Sequence, residues 1–163
     1  MENPSKRYRI CIYGSYGGMN LGDEAILEGI LKQLRATISA DVTVFSRNPS
    51  DTLSRHKIDH VVAVRQMTRR EITPEIQKLD LLILGGGGIL YDQDAETYLR
   101  EVFLAQELGI PVMIYAISAG PLTRPAARRA VQRPMPLEAP VMTTTCWSSG
   151  KRNEALMQQK GES

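Results

Sequence analysis

The chain has 163 residues, 42% of them hydrophobic, and carries 20 lysines and arginines against 18 aspartates and glutamates. That length suits one domain, or one and a fragment, with enough apolar residues for a core. A net charge of +2 is too small to argue for nucleic acid, two cysteines make no disulfide framework, and no apolar run reaches the roughly 18 residues of a membrane span.

The opening Met-Glu-Asn-Pro-Ser-Lys-Arg lacks the apolar stretch of a signal peptide, so the expected location is the cytoplasm. Tyr8 to Tyr13 reads as a buried strand, with Cys11 as a small core residue. A glycine-rich stretch follows at once, with Gly14, Gly17, Gly18 and Gly22 and with Asn20 among them. Glycine and asparagine tolerate positive φ, so the backbone can turn sharply and approach a ligand closely. An amphipathic helix comes next, with Ala25, Ile26, Ile30, Leu31 and Leu34 near one face. Strand, glycine turn and helix start together aim free backbone N–H groups above the strand end, where an anion fits. Neither a dinucleotide fingerprint nor a Walker loop is present. Two readings stand for Asp23 and Glu24: a helix cap with a dipole partner, or groups that hold a substrate hydroxyl or act as a base.

Asp41 to Ser46 predicts a second strand, Ser50 to His56 a short helix, and Asp59 to Val64 a third strand. Thr68 to Lys78 predicts a polar helix in which Pro74 would sit best near the start. Leu79 to Leu84 is a near-continuous apolar run, as in a parallel strand covered on both faces. Gly85, Gly86, Gly87 and Gly88 follow it. Four glycines exceed what a turn needs, so close approach to a ligand or to the first glycine loop is the better account. A helix is predicted over Glu96 to Leu108 with Gly109 as its stop, a fifth strand over Val112 to Ile117, and a small-residue loop at Ser118, Ala119, Gly120 and Pro121. Pro125 opens another helix running to about Gln132. Arg124, Arg128, Arg129 and Arg133 read first as a solvated helix face. His56 and His60 read as surface polarity and not as zinc ligands. Tyr16 and Tyr91 are candidate sugar-stacking rings, and Tyr13 and Tyr115 candidate core residues.

The alternation predicts an α/β fold: an open, mostly parallel, Rossmann-like sheet of about five strands with helices on both faces. In the order 3-2-1-4-5 the first and fourth strands lie together where the winding reverses, and ligands bind at that crevice. The two richest glycine segments follow those two strands. After Val131 the prolines at 134, 136 and 140 forbid a regular helix. Residues 7–131 are therefore expected to form the domain, and residues 132–163 a weakly ordered tail.

Three blocks carry a family likeness. Gly14-Ser-Tyr-Gly-Gly-Met-Asn-Leu-Gly-Asp-Glu-Ala-Ile-Leu27 resembles the N-terminal signature of the polysaccharide pyruvyl transferase family. Leu84-Gly-Gly-Gly-Gly-Ile-Leu-Tyr-Asp92 resembles its second glycine block. Pro111-Val-Met-Ile-Tyr-Ala-Ile-Ser-Ala-Gly-Pro121 is similar to its third, with Ile117, Ser118 and Ala119 in place of the usual Gln-Gly-Ile. The resemblance covers about Arg7 to Val131. It implies pyruvyl transfer from phosphoenolpyruvate to a sugar of a cell-surface polysaccharide or its precursor, with no other cofactor and no metal. It also implies the first half of a two-domain, glycosyltransferase-B-like architecture. The partners implied are a small anionic donor and a saccharide acceptor, with peripheral membrane contact through a lipid-linked acceptor. The Arg and His implied to hold phosphoenolpyruvate belong to the family's second half and have no matching positions here, so a truncation or frame change near Gln132 is expected.

Candidate substrate-binding residues are Gly14, Tyr16, Gly17, Gly18, Asn20, Gly22, Gly85, Gly86, Gly87, Gly88, Ser118 and Gly120. Asp23, Glu24, Asp92 and Asp94 are acid or base candidates by position, and turn formation and capping are the competing roles for Asp92 and Asp94. A non-catalytic module that binds an anion or sugar is the alternative to an enzyme.

Overall fold

The computed structural model describes residues 7–132. Five strands, β1 (Tyr8–Tyr13), β2 (Ala40–Phe45), β3 (His60–Val62), β4 (Leu81–Leu90) and β5 (Val112–Ala119), alternate with five helices: α1 (Leu21–Thr37), α2 (Pro49–Arg55), α3 (Arg69–Gln77), α4 (Ala95–Glu107) and α5 (Pro125–Gln132). The strands form one sheet in the order β3-β2-β1-β4-β5, and every neighbouring pair is parallel. The fold is the α/β sheet expected from the alternation. The predicted tail lies outside the described residues except for Gln132, which ends α5.

Side chains alternate across the strands, and the two faces bury different helices. Cys11, Tyr13, Phe45, Leu82 and Leu84 share a core with residues of α3 and α4, including Ile72, Ile76, Leu99 and Val102. Ile12, Val42 and Val44 pack instead against Leu27, Ile30 and Leu31 of α1. Beside α1, the same face opens into an apolar groove of about 400 Å³ lined by Ile30, Leu34, Ile83, Met113 and Tyr115, among others.

The buried stripe of α1 differs from the expected one. It runs through Asp23, Glu24, Leu27, Ile30 and Leu31, whereas Ala25 is exposed. Leu27, Ile30, Leu31 and Leu34 keep the i, i+3, i+4, i+7 spacing. Carried one turn toward the N-terminus, that stripe delivers two carboxylates to the sheet. Pro74 also departs from expectation, since it sits inside α3. Thr68 takes the cap, and a reciprocal bond with Glu71 fixes the start of that helix. At the end of α4, Gly109 adopts φ +72. Its N–H reaches the Gln106 carbonyl and the Ile110 N–H reaches that of Ala105, which closes the helix by a Schellman motif.

The four glycines are not a loop. β4 continues through Gly85–Gly88 to Leu90, and β5 continues to Ala119 beside it, so Ser118 is also within a strand. β1 pairs only with Leu81–Leu84 of β4. Beyond that point β4 and β5 run on as a two-stranded ribbon past the carboxyl edge of the sheet, with Gly85 opposite Tyr115, Gly87 opposite Ile117 and Gly88 opposite Ser118. A bend is built into the ribbon, since Gly86, Gly87 and Ala116 all have positive φ. For Ala116 that conformation is strained.

Candidate functional site

The ribbon and the first glycine turn meet at the seam between β1 and β4. Tyr16 is fully buried, and its hydroxyl donates to the Gly85 carbonyl at 2.6 Å. A Cβ at Gly14 would stand 2.0 Å from the Gly85 carbonyl oxygen, and one at Gly86 2.6 Å from the Tyr16 hydroxyl. These glycines are required because backbone and a buried ring pass where side chains would otherwise be. Tyr16 is thus no sugar-stacking platform, and burial raises its hydroxyl pKa, with Asp23 and Glu24 adding to the effect.

Asp23 lies at the same seam, 6% exposed, and a Cβ at Gly87 would fall 2.0 Å from its Oδ1. Burial raises the pKa of this carboxyl; a bond from the Ser15 hydroxyl opposes the shift, the Glu24 charge adds to it, and Arg47 opposes it. Asp23 does not cap α1. Asn20 does, its side-chain oxygen accepting the Gly22 N–H at 3.0 Å. Asn20 and Gly22 are therefore already engaged with each other. Glu24 is buried too and accepts the Gly17 N–H at 2.9 Å, so that donor is also taken. Gly17, at φ +72, faces Ser46 and the Asn48 backbone, and a Cβ at Gly18 would stand 3.2 Å from Arg47 Nη1.

The far end of the ribbon is closed by Tyr91. Its ring occupies the space a Cβ would need at Gly120, 1.9 Å away, and approaches the equivalent position at Gly88, where Ser118 also lies. Tyr91 keeps 38% of its surface exposed, so it remains a ring available at the rim. Asp92 serves the backbone. It accepts the Arg124 N–H at 2.9 Å and a bond from the Thr123 hydroxyl, tying the β4–α4 loop to the start of α5. The Thr123 hydroxyl and then the Arg124 N–H hold its carboxyl below the usual range, which is the wrong direction for a proton donor. Asp94 stands at the N-cap of α4 without a capping bond from its side chain.

The seam therefore gathers Tyr16, Asp23, Glu24, Gly85, Gly86 and Gly87, and it leaves Asp92, Ser118 and Gly120 at the outer end of the ribbon. A carboxyl with a raised pKa beside backbone polar groups, where the winding of a parallel sheet reverses, marks the seam as the candidate site. His56, expected as surface polarity, is buried and bonds Glu24 and Glu28.

The family model for polysaccharide pyruvyl transferase matches residues 20–133, which include the ribbon, the carboxylates of α1 and the third block. The chain belongs to the polysaccharide pyruvyl transferase family. No curated protein gives a significant match. The first three glycines of the opening block precede the matched span, yet Gly14 packs against its second block, at the Gly85 carbonyl. Among the described residues of this family member, no helix is long and apolar enough to cross a membrane, and no group of three His, Cys, Asp or Glu side chains is arranged to hold a metal ion.

Proposed function

We propose that this chain takes part in pyruvyl transfer from phosphoenolpyruvate to a sugar of a cell-surface polysaccharide or its precursor, in the cytoplasm, with its seam as one wall of the reaction cleft. The observation that supports this most is the placement of Asp23 over Gly87, where the two family glycine blocks touch. Ketal formation adds a proton to the enol carbon, adds two sugar hydroxyl oxygens to the adjacent carbon, and releases phosphate. One hydroxyl proton is matched by the new methyl proton and the other leaves with phosphate or solvent. A carboxyl whose pKa is raised by burial holds its proton to higher pH and suits that transfer. Asp23 is the group we assign to it. Glu24, committed to Gly17, holds the turn in place.

A second reading is favoured by the packing of the glycines. Gly14, Gly86 and Gly87 are filled by Tyr16, Asp23 and backbone, so they serve the chain's own close approach, as a non-catalytic binding module would also need.

The two readings separate in one experiment. Purified chain is mixed with phosphoenolpyruvate and a sugar acceptor; phosphate release and the new ketal methyl resonance are followed, beside a titration of phosphoenolpyruvate binding. Turnover that disappears in Asp23→Asn supports the enzyme. Binding without turnover supports the module. Neither binding nor turnover rejects both.

A further inference from the structure

A relay of buried polar groups reaches the seam from α2. His56 follows α2 as its C-cap and is 7% exposed. Its Nε2 lies 2.9 Å from Glu24 Oε2, and its Nδ1 lies 3.1 Å from Glu28 Oε2. The other oxygen of Glu24 accepts the Gly17 N–H. A neutral imidazole has one N–H and cannot donate to two carboxylates, whereas the imidazolium can. The bond from His56 holds the Glu28 carboxyl below its usual range, with Lys32 contributing. The remaining charges nearby come from both helices and the β2–α2 turn. Lys32 pairs with Glu28 and Arg55 with Asp51, while Asp23 and Arg47 interact electrostatically on the Glu24 side. A buried carboxylate such as Glu24 needs bonds on both oxygens to offset its lost hydration, and His56 and Gly17 supply them.

We propose that His56 is the positioning residue of the first glycine turn. Its ring fixes Glu24, Glu24 fixes the Gly17 N–H, and the neighbours Tyr16 and Asp23 are thereby delivered to β4. His56 acts through Glu24 and touches no reacting atom. The inference goes beyond the proposed reaction and is independent of which donor the cleft takes. Its test reads the turn, so failure of pyruvyl transfer and failure of the relay are separate results.

The test is NMR on the ¹⁵N-labelled full chain, as wild type, His56→Leu and His56→Gln. Leucine fills the site without a donor, whereas glutamine keeps one N–H for Glu24. In His56→Leu the Gly17 amide is expected to exchange about tenfold faster or more, while amides of β1 and β4 keep their protection. His56→Gln is expected to restore Gly17 to within a few-fold of wild type. In the wild type, the Gly17 amide resonance is expected to move with pH at the same midpoint as the His56 ring protons. Unchanged Gly17 exchange in His56→Leu overturns the proposal, as does equal loss in both variants. If His56→Leu does not fold, the wild-type titration decides: a Gly17 resonance that stays still while the ring protons move overturns it.

Discussion

The Tyr16 hydroxyl donates to the Gly85 carbonyl at 2.6 Å, joining segments 69 positions apart just beyond the last paired residues of β1 and β4, Tyr13 and Leu84. Both ends of the bond are buried. Gly86, at φ +93, leaves the ring its space. The bond therefore couples the first family glycine block to the second, and any movement of the ribbon must carry or break it.

Tyr16→Phe keeps the ring and removes only that bond. The expected cost is about 1–2 kcal/mol, read as a lower urea midpoint with an unchanged slope. A wild-type midpoint would show that the contact contributes nothing to holding the two blocks together.

Two glycines with similar φ separate strain from contact. At Gly109, φ +72, an added Cβ meets nothing within 4 Å; at Gly87, φ +82, it meets Asp23 at 2.0 Å. Gly109→Ala should cost about 1 kcal/mol from backbone conformation alone. Gly87→Ala should cost about 2–5 kcal/mol, because overpacking adds to strain. In an Asp23→Ala background the cost of Gly87→Ala should fall toward that of Gly109→Ala, and equal costs in both backgrounds would refute the contact.

The parallel α/β sheet was legible in the sequence because strand and helix periods alternate cleanly, and the meeting of the two glycine blocks followed once the usual order 3-2-1-4-5 was assumed. The roles of individual glycines were not. A run of four reads as a loop, yet Gly85–Gly88 remain in β4 because β5 pairs with them. Tyr16 looked like a free aromatic beside a loop, and only tertiary packing shows it to be buried. Asp23 and Glu24 did leave a signal, since they extend the Leu27–Ile30–Leu31 stripe by one turn, and a carboxylate on an apolar stripe calls for a partner. His56 left none, because its partners lie 32 and 28 positions away and no local pattern links α2 to α1.

Asp92 is expected to matter for stability and not for chemistry. Its carboxyl is held below the usual range by Thr123 and Arg124. A lowered folded-state value means that the stabilisation is present above the unfolded value and is lost as pH falls through the folded one. Asp92→Asn should therefore lower the neutral-pH melting temperature by a few degrees at most, with the two curves converging in acid. Weaker phosphoenolpyruvate binding at unchanged stability would instead return Asp92 to the site.

Asp23 should behave in the opposite sense. Burial raises its pKa in the folded chain. Its stabilising contribution is then fully present below the unfolded value, about 3.9, and is lost as pH rises through the folded one. At neutral pH the ionised carboxylate is a burden on the fold, so Asp23→Asn should stabilise the chain by about 0.5–1 kcal/mol there. The gain should shrink to nothing in acid. Thermal melts across pH, for both proteins, measure this directly. Asp23 is also an acidic residue in the first turn of α1, where a negative charge favours the helix. The two effects have opposite signs at neutral pH, so the melt decides between them. A loss of stability would mean that the carboxylate serves the helix start. A gain, together with loss of turnover, would mark Asp23 as a residue kept at the expense of stability for what it does in the cleft.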